Sequence, residues 1–236
     1  MDNLTDRIED LDWTAIAAAL DERGYATAPG LLTGAECKEL IALYDDERRF
    51  RKRVEMERLR FGVGEYKYFA APLPPTVQRM RTAFYPRLAP IANRWVTNLR
   101  EAQLFPPVLD GLLALCREHG QTRPTPLLLR YEAGGYNCLH QDLYGEVAFP
   151  LQITCALSRP GSEYSGGEFL LVEQRPRSQS RGEAIALEQG EAIIFPNRYR
   201  PVRSARGYYR VNVRHGVSRI HRGLRLSLGV IFHDAK

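Results

Sequence analysis

His140 and Asp142 stand two residues apart in the segment LLLRYEAGGYNCLHQD, residues 127–142. In an extended chain that spacing turns both side chains to one face, where a neutral imidazole and a carboxylate can share a divalent metal. Seventy-five residues later comes His215, which opens the run HGVSRIHRGLRLSLGVIF. Read as strand, turn at Arg222-Gly223 and strand, the run sets Arg225, Ser227, Gly229 and Ile231 on one face and Leu224, Leu226, Leu228, Val230 and Phe232 on the other. If the apolar face packs outward against helices, a guanidinium and a hydroxyl point inward, where an unpaired charge is costly unless an anion meets it. His140, Asp142 and His215 then make a two-histidine, one-carboxylate triad of the kind that leaves positions open on non-haem Fe(II), with Arg225 as a carboxylate clamp beside it.

Something must hold these side chains in register. From Pro124 onward the chain is a series of short β-rich runs: 126–131, 149–158, 168–173, 183–187, 191–195, 208–215 and 224–233. Turn signals such as Gly134-Gly135, Gly166-Gly167 and Gln189-Gly190 separate them. Seven or more strands with short connections predict a mainly β fold, a sandwich or jelly roll, with helical support. That support is expected before residue 124. Trp13, Ile16, Ala17 and Leu20 have helical spacing between Asp12 as cap and Gly24 as stop. Thr33 and Glu36 read as the capping box of a second helix, and residues 76–118 return to helical periodicity. Two helices are thus expected before any sheet. The charge-dense residues 47–60 and the Gly/Pro/aromatic stretch after them predict a basic surface loop or lid over 47–75. The division expected is a helix-rich support region, 1–123, and a core, 124–236, in one compact unit.

The composition, 44% hydrophobic and 26% charged over 236 residues, excludes a disordered, collagenous or coiled-coil chain. The acidic opening MDNLTDRIED has no apolar signal region, and no stretch approaches a membrane span, so a cytoplasmic protein is expected. Cys37, Cys116, Cys138 and Cys155 show no paired spacing and predict reduced thiols. The formal charge of +5 is uneven: residues 1–120 hold 17 basic against 18 acidic side chains, and 121–236 hold 16 against 10. Between Phe195 and His215 six arginines are interleaved with Tyr199, Tyr208 and Tyr209. Guanidinium and aromatic groups by an active-site mouth suit a nucleic-acid backbone and an unstacked base, which nominates Arg198, Tyr199, Arg203, Tyr208 and Arg210 as substrate contacts.

The ordered set of His140, Asp142, His215 and Arg225 resembles the 2-oxoglutarate/Fe(II)-dependent oxygenases over roughly residues 124–233. That resemblance implies a double-stranded β-helix (jelly roll) flanked by N-terminal helices, with Fe(II), 2-oxoglutarate and O2 as cofactor and cosubstrates. It implies that His140, Asp142 and His215 ligate the iron, that Arg225 grips the far carboxylate of 2-oxoglutarate, and that Ser227 and Tyr131 assist it. The runs GEVAFPLQ, YSGGEFLLVEQRPRSQSRGE and RHGVSRIHRGLRLSLGVIFHD are similar to a prokaryotic oxygenase group associated with oxidative demethylation of damaged DNA. The partner implied is DNA or RNA, the process DNA repair.

Alternatives stand beside this. His221 or His233 competes with His215 as third ligand, Tyr131 reads equally well as core, and a redox-silent cupin-like site would use the same ligand types. The ten-residue interval from His215 to Arg225 is closer to that of protein and small-molecule hydroxylases. A non-enzymatic metal-binding module, with Arg225 paired to an acid such as Glu168, is the remaining reading.

Overall fold

A computed structural model describes residues 3–236; the first two residues of the acidic opening segment lie outside the described residues. Helices α1 (Leu4–Glu9), α2 (Trp13–Arg23) and α3 (Gly34–Ala42) surround a first strand, β1 (Ala26–Ala28). Next come β2 (Phe50–Glu55), α4 (Met56–Leu59), β3 (Gly62–Val63), β4 (Glu65–Phe69), α5 (Pro75–Asn98) and α6 (Leu109–Glu118). The remaining strands are β5 (Leu127–Glu132), β6 (Tyr136–His140), β7 (Leu151–Ala156), β8 (Tyr164–Gly166), β9 (Phe169–Gln174), β10 (Arg181–Ile185), β11 (Ala192–Pro196), β12 (Tyr199–Ser204), β13 (Gly207–Val217) and β14 (Ile220–Ile231).

The strands make two antiparallel sheets. The larger runs β1-β11-β7-β14-β5-β4-β2 with β8 on β14, and the smaller runs β10-β9-β13-β6-β3 with β12 on β13. Facing each other with helices behind the larger, they form the expected jelly roll. Alternation along β14 is what sandwiches the layers: Leu226, Leu228 and Val230, with Phe232 just past the strand's end, join one core with Phe84, Leu88 and Trp95 of α5, while Ser227, Gly229 and Ile231 face the opposite sheet. Each such fully buried side chain stabilises the fold by roughly 1.5–3 kcal/mol. The helix ends follow the sequence: the Asp12 carboxylate accepts from Ala15 N at 2.9 Å, Gly24 closes α2 at φ 85°, and Thr33 and Glu36 complete their capping box.

Four expectations are corrected. The two N-terminal helices do not precede the sheet, because β1 lies between α2 and α3 and pairs with β11. The supposed loop at 47–75 holds three strands and a short helix: β4 pairs with β5, β3 with β6, and β2 closes the far edge of the larger sheet. Its exposed Lys52 and Arg53 are the charges that keep an open edge from pairing with another chain, which is why the run reads as solvated loop. The larger sheet therefore crosses the 123/124 division. The Arg/Tyr stretch is a hairpin, β12 to β13, with Ser204 opposite Gly207, and Pro201 is tolerated because β12 is an edge strand. Finally, the turn expected at Arg222-Gly223 falls between β13 and β14, and Gly223 lies inside β14 at φ 81°. Among the described residues no helix is long and apolar enough to cross a membrane.

Candidate metal centre

His215 lies on β13 directly opposite His140 at the end of β6, so two neighbouring strands of the smaller sheet present the histidines, with ring centroids 4.2 Å apart. Asp142 follows on the connection to β7. Its Oδ2 is 3.1 Å from His215 Nε2 and its Oδ1 is 3.6 Å from His140 Nε2. One ligand atom from each residue falls within 4.8 Å of the others. Donors cis to one another on a divalent ion at about 2.1 Å stand about 3 Å apart, so the three atoms fit one cation.

The tautomer of His140 fits as well. His140 Nδ1 is 2.8 Å from the Cys138 carbonyl oxygen, to which it donates, leaving Nε2 as the lone-pair donor. His215 is 7% exposed and its ring is held between Phe169, stacked at 5.9 Å, and Phe195 at 4.7 Å. Burial would push the Asp142 carboxyl up, but the His215 and His140 imidazoles and a hydrogen bond from Tyr144 reverse this and hold it well below the usual carboxylate range. Burial and the neighbouring His215 push the His140 imidazole down. The site thus favours an ionised Asp142 carboxylate beside a neutral His140 imidazole, the protonation states in which these two groups bind a metal.

A cavity of about 240 Å³ opens from the triad between the sheets, lined by Tyr66, Tyr68, Tyr131, Thr154 and Ser227 among others, with the exposed side chains Phe61 and Leu143 at its rim. Arg225, 2% exposed, lies beside this cavity, two residues before Ser227 on β14. Its Nη1 donates to Ser227 Oγ at 3.2 Å, its Cζ lies 5.8 Å from the Tyr131 ring, and its Nε has no partner among the described residues. Ser227 lines the triad cavity while Arg225 lines an adjoining pocket beneath Gly166 and Gly167, so the guanidinium stands at the boundary of the two. Gly167, at φ 71°, is required there: a Cβ would come within 2.9 Å of Arg225 Cδ. Glu168 does not pair with Arg225; its carboxylate accepts from Ser218.

His221 is exposed, and His233 is buried outside the triad with Nδ1 accepting from Phe149 N at 3.2 Å. Neither joins the cluster. The expected substrate contacts do not converge on the cavity. Tyr199 donates to Glu101 at 2.9 Å, Arg210 pairs with the same carboxylate and lies 4.3 Å over the Tyr199 ring, and Arg203 and Tyr208 border a separate pocket against α2. Arg198 lies over the Tyr199 ring at 5.5 Å.

Three contributors were not foreseen. Gln141, between the two paired ligands, donates to the Arg198 and Val213 carbonyls at 2.7 and 2.9 Å and ties the segment to the hairpin. The Asn197 carbonyl accepts from Asp142 N at 3.3 Å. Tyr144 donates to Asp142 Oδ1 at 2.8 Å. The only sequence signal for them is nearness to a ligand or to the end of β11.

Comparison with known proteins agrees with this architecture. A family model described as an oxygenase catalysing oxidative methylation of damaged DNA matches residues 64–235. Uncharacterized proteins from two strains of Mycobacterium tuberculosis are each 52% identical over 167 residues, covering 71% of this chain and 72% of theirs. A prolyl-4-hydroxylase from Pseudomonas putida is similar in structure, with a TM-score of 0.57 at 13% identity over 95% of this chain and 100% of that one. So is an oxidoreductase of the 2OG-Fe(II) oxygenase family from Burkholderia pseudomallei, with a TM-score of 0.55 at 14% identity over 96% and 95%. These two likenesses establish a common fold.

Proposed function

The chain belongs to the Oxygenase-NA family, and on that premise we propose that it is an Fe(II)- and 2-oxoglutarate-dependent dioxygenase that hydroxylates, and so oxidatively demethylates, alkylated nucleic acid. The observation that carries the reading is the nearness of two incomplete elements at adjoining pockets: a triad offering three donor atoms, and a buried guanidinium whose Nε has no partner among the described residues. When bound, iron with 2-oxoglutarate and O2 supplies the oxidising power, one oxygen atom entering a substrate C–H bond as the cosubstrate becomes succinate and CO2.

The protein's own part is geometric and electrostatic. His140, Asp142 and His215 hold the metal on one face and leave the other for cosubstrate. Arg225 and Ser227 receive the far carboxylate of 2-oxoglutarate, which satisfies a charge that is otherwise costly to bury. Tyr131, fully buried and accepting from Asn137 Nδ2 at 3.3 Å, walls the cosubstrate side. Phe61 and Leu143 offer apolar contact to a base entering the rim, and the exposed Arg198, Arg203 and Arg214 supply positive surface for a phosphate backbone.

A second reading, hydroxylation of a protein side chain or small metabolite, is favoured by the ten-residue interval between His215 and Arg225 and by the engagement of Tyr199 and Arg210 with Glu101. Succinate and formaldehyde release, measured with N-methylated single-stranded DNA, the unmodified strand and no added substrate, separates the two. The nucleic-acid reading expects both products only with the methylated strand, and binding that weakens linearly in log–log against salt. Succinate that is indifferent to DNA and stimulated by peptides or metabolites selects the second.

A further inference from the structure

Asp142 sits outside regular structure, in the connection between β6 and β7, and among the described residues its backbone is tethered by the 3.3 Å bond from its N–H to the Asn197 carbonyl. No sheet ladder sets the direction of its carboxylate. The side-chain contacts do. Oδ2 faces His215 Nε2 at 3.1 Å, and Oδ1, farther at 3.6 Å from His140 Nε2, takes the hydrogen bond from the Tyr144 hydroxyl at 2.8 Å. The Tyr144 oxygen in turn lies 3.1 Å from the Tyr68 hydroxyl on β4.

The proton order in this chain is forced. An ionised carboxylate only accepts, so Tyr144 must donate to Asp142, and its oxygen is then left to accept from Tyr68. Tyr68 is itself fixed, being 6% exposed, with the Arg51 guanidinium 4.7 Å over its ring and Tyr66 edge-on at 5.4 Å. The strand the sequence presents as a loop therefore reaches the metal centre through two phenols.

We propose that Tyr144, its hydroxyl oriented by Tyr68, is a positioning residue that engages Asp142 Oδ1 and so keeps Asp142 a single-oxygen metal ligand through Oδ2. Chelation by both carboxylate oxygens would occupy a coordination position that the cosubstrates need, and a hydrogen bond aimed at Oδ1 opposes it. The inference rests on the metal-centre reading above and adds to it the residues that decide how the carboxylate is used.

The test is Mn²⁺ binding by titration calorimetry to the full chain, with the Co²⁺ absorption spectrum as a report on coordination number, in wild type, Tyr144→Phe, Tyr68→Phe and His140→Ala. Loss of an outer-shell partner costs ten- to a hundredfold in metal affinity in general. Tyr144→Phe is expected to weaken Mn²⁺ binding about tenfold and to alter the Co²⁺ spectrum, and Tyr68→Phe to weaken it by about threefold. The melting temperature of metal-free protein should barely change in Tyr68→Phe, which keeps the test readable if Tyr144→Phe folds poorly. If both phenylalanine variants bind Mn²⁺ and colour with Co²⁺ as wild type does, while His140→Ala abolishes binding, the positioning role is overturned and the metal centre stands. If His140→Ala binds as wild type does, the metal centre falls and this inference with it.

Discussion

Among the described residues three arginines are buried almost completely, Arg81 and Arg225 at 2% exposure and Arg200 at 1%, and the last two named, Arg225 and Arg200, are opposites in company. Arg200, on β12, pairs with Glu173 on β9 and donates to the Asp21 carbonyl at 2.7 Å and the Glu22 carbonyl at 3.2 Å, closing the end of α2 onto the smaller sheet. Arg225, on β14, donates to Ser227 and, among the described residues, leaves Nε unpartnered. Each nitrogen of the Arg200 guanidinium has a partner, which makes it a structural clamp, whereas Arg225, with no carboxylate beside it, is the one the proposed function gives to an anion. His233 takes a third course, with no exposure and an imidazole that burial and the nearby Arg81 push down to about 4, so it stays neutral.

The contrast can be broken most directly at Arg200. Arg200→Met strands the Glu173 carboxylate in the interior and is expected to cost about 3–5 kcal/mol in urea unfolding, whereas the double change with Glu173→Met should recover much of it. Equal loss in the double variant would mean that the packing of the clamp, and not the pairing, is what matters.

His233 is the next test, through pH. The imidazole takes its ordinary value of 6.5 when unfolded and about 4 when folded, so between those values the unfolded chain binds more protons and stability rises with pH. Its contribution is complete above 6.5 and is lost as pH falls toward 4, amounting to about 3 kcal/mol. Urea midpoints of wild type and His233→Gln between pH 7 and 4 should converge on acidification; parallel curves would remove His233 from the account.

Arg225→Met should do the reverse of Arg200→Met. Stability without cosubstrate is expected to hold or rise, because an unsatisfied charge leaves the interior. The KM for 2-oxoglutarate should increase about 100-fold, the equivalent of two charge-assisted hydrogen bonds at roughly 1.5 kcal/mol each. An unchanged KM would cancel the distinction between the two arginines. The smallest effect belongs to Arg210, half exposed and paired with Glu101, where alanine should cost under about 1 kcal/mol by thermal melting.

Strand alternation made much of this legible in advance. Period two put Arg225 and Ser227 on the inward face of β14, and the two-residue spacing of His140 and Asp142 announced a shared point. What stayed hidden depends on residues far apart in sequence. Nothing near Tyr199 signals that Glu101 will engage its hydroxyl, so an arginine- and tyrosine-rich hairpin reads as an open binding face. Charges on β2 defend a sheet edge, and in sequence that is indistinguishable from a solvated loop. Tyr144 and Gln141 gain their parts only when β4 and the β12–β13 hairpin fold against the ligand segment.

The last strand in chain order, β14, occupies the middle of the larger sheet, bonded to β7 on one side and β5 on the other. A polypeptide still emerging from the ribosome has, until residue 231 is out, two half-sheets with raw borders and no floor beneath the ligand residues. Final closure is a zippering of distant segments, slow by its topology, and it delays assembly of a redox-capable centre until the scaffold that would confine its reactivity is whole.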